Sequence, residues 1–111
     1  MLPRRYLLYF QTGGLELTEE SRALLPQIVD DVRTRPAADV SVIGHTDTVG
    51  SADANEALGL KRAQGMADLL LEQGLKPFAL SVESHGESDL LIPTPDETDE
   101  PRNRRVEVSV R

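Results

Sequence analysis

The 111 residues, 39% hydrophobic and 28% charged, suffice for one domain over residues 1–111 that buries roughly 65% of its unfolded surface without covalent staples. Nineteen acids against twelve bases give a net charge of −7, which repels phosphate backbones and argues against nucleic acid as a partner. Cysteine is absent, excluding disulfides and thiolate metal sites, and no run of about 18 apolar residues is present, so membrane attachment or export would need a segment of a longer precursor.

In chain order, Tyr6-Leu7-Leu8-Tyr9-Phe10 is a short aromatic and branched run closed by Gly13-Gly14, which predicts a first strand with both faces covered. Thr18 followed by Glu19 and Glu20 marks a helix start, because the hydroxyl accepts from free backbone amides and the acids meet the positive end of the dipole. Leu24, Leu25, Ile28, Val29 and Val32 then recur at helical spacing. Pro26 interrupts them at a cost of ~3 kcal/mol if truly interior, which predicts a kink or a late start. Arg35-Pro36 ends the helix, and Val40-Ser41-Val42-Ile43 forms a second strand running into Gly44. From about Ala52 to Gln73 a long helix places Leu58, Ala63, Met66, Ala67 and Leu70 on one side, with Gly74 as its stop.

Leu80-Ser81-Val82 is a third strand, and Val106, Val108 and Val110 alternate with Arg105, Glu107, Ser109 and Arg111 as a fourth with one wet face. Between them Pro93, Pro95 and Pro101, with Asp96, Glu97, Asp99 and Glu100, make a long acidic surface loop. The order βαβαβ-loop-β predicts an α/β fold of α+β two-layer sandwich type, with two helices on one face of a four-stranded mixed sheet and the other face partly solvated. Periodicity does not say where the last strand inserts.

Gly44-His45-Thr46-Asp47 therefore lies at a strand's carboxyl end, and Asn55 and Arg62, seven residues apart, share a face of the next helix. If Thr48-Val49-Gly50-Ser51 folds back, the Asp47 carboxylate approaches Arg62. A carboxylate pairs with an ammonium and a guanidinium grips a carboxylate, so together they match a zwitterion. Each residue also has a plainer reading: Asp47 as a turn or helix cap, Arg62 as a surface salt-bridge partner, Asn55 as an exposed helix residue. Spacing alone favours the plainer reading.

His45, Asp47 and His85 have the residue types of a two-histidine, one-carboxylate iron site, the sharpest metal-dependent enzyme alternative. Four short strands and two helices enclose such a site poorly, and the plainer reading is a pair of strand-end histidines titrating near neutrality. Ser84-His85 lacks a nucleophile elbow, and no glycine-rich phosphate loop is present.

The ordered string Gly44-His45-Thr46-Asp47, Gly50, Asn55, Leu58, Arg62-Ala63, Leu70 and Gly74-Leu75 resembles the outer-membrane protein A C-terminal-like (OmpA-like) peptidoglycan-binding domain. Phe10 and Leu17 before it, and Gly86-Glu87 and Asn103-Arg104-Arg105-Val106-Glu107 after it, extend the resemblance over almost the whole chain. The resemblance implies a non-catalytic module, with neither cofactor nor metal, in the periplasm as part of an outer- or inner-membrane-associated protein. Its implied partner is peptidoglycan, bound non-covalently through the diaminopimelate residue of the stem peptide. The family's ligand-binding aspartate and arginine fall on Asp47 and Arg62, with Thr46 and Asn55 in support. Arg104 and Arg105, in a strand, face opposite sides: Arg104 reaches the site and orders the nearby loop, and Arg105 is a solvated edge charge.

The chain departs from the family pattern at four places. Gly59 stands where the family usually has serine, removing a hydroxyl and weakening the helix by roughly 1 kcal/mol relative to alanine. Gly13 replaces an acid, Ser84 replaces a glycine, and Asp99-Glu100 replaces Gly-Arg. These changes are compatible with a second class of function, a protein-interaction or scaffold domain with a degenerate ligand site. Sugar stacking is disfavoured by the 4% aromatic content.

Overall fold

A computed structural model of the chain describes residues 2–11, 15–86, 90, 92–98 and 100–111. The expectations attached to Gly13, Glu87 and Asp99 fall outside them. The elements are β1 (Arg4–Tyr9), α1 (Glu19–Arg22), α2 (Leu25–Thr34), β2 (Asp39–His45), α3 (Ala52–Glu72), β3 (Ala79–Gly86) and β4 (Arg105–Val110), with a short 3₁₀ turn at Pro101–Asn103. The four strands form one mixed sheet in the order β1-β4-β2-β3. β4 runs antiparallel to both neighbours, Tyr6 and Val42 each pairing with Val108, while β2 and β3 are parallel.

The predicted helix over residues 18–35 is two helices. Thr18 caps α1, its hydroxyl accepting from Ser21 N at 3.3 Å. Pro26 sits in the first turn of α2, where its missing N–H would have no intrahelical partner in any case. The break thus falls at Ala23 and Leu24, just before the proline, and removes its penalty. α3 begins at Ser51, whose hydroxyl accepts from Ala54 N at 3.1 Å, and ends at Gly74, whose φ of +100° only glycine adopts without strain.

Tyr6, Leu8, Val40, Val42, Val106, Val108 and Val110 point from one face of the sheet into a core completed by Leu25, Ile28 and Val32 of α2 and Ala63, Met66 and Leu70 of α3. Each fully buried branched side chain contributes roughly 1.5–3 kcal/mol of transfer free energy. α3 approaches the sheet closely because β2 and α3 meet at two glycines. A Cβ on Gly44 would lie 1.8 Å from Gly59 O, and one on Gly59 would lie 2.3 Å from Ser84 Oγ.

Three expectations about faces and edges are corrected. β1 buries Tyr6 and Leu8 but leaves Leu7 and Tyr9 half-buried, because it is an edge strand with helices on one side only. β4 is an inner strand, so Arg105 is not an edge charge. Arg105 is 2% exposed, and its Nε and Nη2 donate to Glu107 Oε1 at 3.1 and 3.0 Å. The far face of β4 is therefore covered at its first residue and wetter beyond.

Candidate functional site

The carboxyl ends of β1, β2 and β3, the amino end of β4 and the first turns of α3 converge at one end of the molecule. All five predicted ligand residues lie there, and all are buried: Thr46, Asp47, Asn55, Arg62 and Arg104. Thr46 continues the β2–β3 ladder through Thr46 N to Gly86 O at 2.8 Å, and its hydroxyl donates to Asp47 O at 2.9 Å. Asn55 Nδ2, from the first turn of α3, donates to the same carbonyl at 3.2 Å. Two side chains therefore fix the backbone that presents Asp47. The surface-exposed reading of Asn55 is excluded by this geometry.

Asp47 is bonded within the protein itself. Its Oδ2 accepts from Arg104 Nη1 at 3.0 Å and from Glu100 N at 3.4 Å, and its Oδ1 accepts from Val49 N at 3.2 Å. The last contact is the turn expected of an aspartate before a helix, so the plain and functional readings coexist. Arg104, expected to reach the site and order the nearby loop, makes a direct ion pair with Asp47, a contact that the sequence reading did not include. The sequence distance of 57 residues between Asp47 and Arg104 carries no period that could have shown it.

Arg62 is 1% exposed. Its Nη1 donates to His45 O at 3.2 Å, and its Cζ lies 5.2 Å from the centre of the Phe10 ring, a cation–π distance. Burial, followed by the positive charge of Arg104, lowers its pKa to about 10, with the negative charge of Asp47 opposing the shift. Arg62 is thus charged at neutral pH, but at a desolvation cost that a bound carboxylate would offset. One carboxylate and two guanidiniums leave this cluster with a local charge of +1, in a protein whose overall charge is −7.

Thr48, which the sequence did not single out, latches the acidic loop to the site. Its Oγ1 donates to Pro95 O at 2.7 Å and accepts from Thr98 N at 2.8 Å, while Glu97 N donates to Thr48 O at 2.9 Å. Asn103 holds the other end of the loop, with Ile92 N donating to its Oδ1 and its Nδ2 donating to Ile92 O, both at 2.8 Å. No local pattern announces contacts spanning about fifty residues.

His45 and His85 do come together, ring centres 5.3 Å apart and nearly perpendicular. Asp47 does not join them, being turned to Arg104. Among the described residues no group of three or more histidine, cysteine or acidic side chains is placed to hold a metal ion, so the iron-site alternative has no coordination geometry behind it. No helix among the described residues is long and apolar enough to cross a membrane.

The fold and site define a two-layer α/β domain with a buried, net-cationic cluster at the ends of its parallel strands. The chain belongs to the OmpA family, whose sequence pattern matches residues 9–104. It is 38% identical over 76 residues to the peptidoglycan-associated lipoprotein of Legionella pneumophila, covering 68% of this chain and 43% of that protein. With an outer membrane protein of Gluconacetobacter diazotrophicus it shares 29% identity over 95% of its own length and 29% of the relative's. The chain thus spans less than half of these two relatives. The crystal structure of the peptidoglycan-associated lipoprotein from Burkholderia pseudomallei superimposes with a TM-score of 0.83 at 26% identity, covering 95% of this chain and 89% of that one. The cell wall anchor of the type VI secretion system (T6SS) from Pseudomonas aeruginosa gives a TM-score of 0.75, also at 26% identity, over 97% of this chain and 80% of that one.

Proposed function

We propose that this chain is a non-catalytic module that binds peptidoglycan through the diaminopimelate residue of its stem peptide, holding a parent envelope protein to the cell wall in the periplasm. The observation that carries this is the buried cluster of Asp47, Arg62 and Arg104, with its local charge of +1. Diaminopimelate carries an ammonium and a carboxylate on one carbon. Asp47 takes the ammonium, and Arg62, backed by Phe10 and held by the His45 carbonyl, takes the carboxylate. Arg104 holds Asp47 in place until the ammonium arrives. Family membership and relatives named for association with peptidoglycan support the reading.

One observation favours a second reading, a protein-interaction domain whose ligand site is silent. The Asp47 oxygens already accept from Val49, Glu100 and Arg104, which leaves little room for a ligand ammonium. A pull-down on purified sacculi separates the two. Asp47→Asn and Arg62→Lys should each reduce the bound fraction at least tenfold while the thermal melt stays cooperative; two variants that sediment like the wild type would favour the silent-site reading.

A further inference from the structure

Beside the buried cluster runs an open groove of about 630 Å³, lined by Tyr9, Phe10 and Gln11 from the end of β1 and by Pro101, Arg102 and Arg104 from the turn before β4. The two walls are tied by Phe10 N donating to Arg104 O at 2.9 Å. The groove is continuous with the cluster through two shared residues: Phe10 underlies Arg62, and Arg104 pairs with Asp47. Its rim carries Arg102, whose side chain is 61% exposed. Glu100 fixes that guanidinium through Nε at 3.1 Å and Nη2 at 2.8 Å. A guanidinium has five N–H groups, so three remain for a second acceptor. The side-chain and backbone bonds from Arg102 hold the Glu100 carboxyl down to about 2, so Glu100 stays ionised and keeps the guanidinium oriented.

Diaminopimelate has two amino-acid ends. If its free end sits between Asp47 and Arg62, its other amino group, acylated in a stem peptide, leads out of the cluster, and the neighbouring groove is the open path. We propose that the groove seats the acidic residue acylating the diamino acid, and that Arg102 takes its free carboxylate while the Tyr9, Phe10 and Pro101 surfaces cover its aliphatic part. This rests on the wall-binding reading above. Continuity with the cluster and the N–H groups that Glu100 leaves open on Arg102 select this occupant over a neutral sugar, whose hydroxyls accept from the guanidinium but bring no second charge to it.

Isothermal titration with free meso-diaminopimelate and with γ-glutamyl-diaminopimelate tests the assignment. The dipeptide should bind about tenfold tighter than the free diamino acid, the gain expected of one charge-assisted hydrogen-bonded pair. Arg102→Gln, at an exposed position, should abolish that gain and leave affinity for the free diamino acid unchanged. Equal affinities in the wild type, or a preference that survives Arg102→Gln, would overturn the proposal while leaving wall binding intact. Failure of both ligands to bind would instead remove the wall-binding reading and this proposal with it.

Discussion

The hydroxyl missing at residue 59 is present at residue 84. Ser84 Oγ fills the space over Gly59, donating to Glu56 O at 2.8 Å and accepting from Gly86 N at 3.1 Å. Two departures from the family pattern therefore meet in one contact between α3 and β3, the side chain at 84 occupying the space left open at 59. Gly59→Ser alone should destabilise the fold by about 1–3 kcal/mol, because its Cβ meets Ser84 Oγ and the Gly44 backbone. Ser84→Gly alone should cost about 1 kcal/mol through lost hydrogen bonds. The double variant should recover to within about 1 kcal/mol of the wild type, a coupling that urea denaturation of all four proteins would measure. At this scale the sequence exposed the types of the site residues and the helical face shared by Asn55 and Arg62. It hid the contacts, since Phe10 and Thr48 reach the site, and Arg104 its Asp47 partner, from strands and loops whose spacing has no period.

Among the elements, the long α3 was legible from its apolar face and its Gly74 stop, while the Ser51 cap emerges from the structure. β3 was legible only in part, since Glu83, Ser84 and His85 extend it with polar residues that no apolar alternation marks. The join between β1 and α2 rests on Asp31, which accepts from Tyr6 OH and Arg35 Nε, both at 2.9 Å. Burial pushes the Asp31 carboxyl up, but the bonds from Arg35 and Tyr6 outweigh it and the net shift is downward from 3.8. A carboxyl held lower in the folded state adds stability above its unfolded pKa and loses it as pH falls through the folded value. Asp31→Asn should therefore cost on the order of 2 kcal/mol at pH 7 and flatten the loss of stability below pH 4, as acid titration of the melting temperature would show. The latch at Thr48 predicts a second effect. Thr48→Val should leave the sheet intact but release the acidic loop, so limited proteolysis should cut near residues 92–98 faster than in the wild type.

On the scale of the whole molecule, an acidic protein concentrates an arginine pair at one end of its sheet. The α/β sandwich was legible because strand and helix periods alternate along the chain; the insertion of β4 between β1 and β2 was not, because strand order is set by tertiary packing. That insertion brings Arg104 to Asp47 and makes the cluster. A site buried to this degree is screened less by salt than an exposed ion pair, so sacculus binding should weaken on raising the salt, but by less than about tenfold between 0.05 and 0.5 M. The most direct test of the central claim is an NMR titration of the domain with meso-diaminopimelate. The account predicts saturable amide shifts concentrated at Thr46, Asp47, Asn55 and Arg104 and abolished in Asp47→Asn. Saturating diaminopimelate that moves none of these resonances would contradict it.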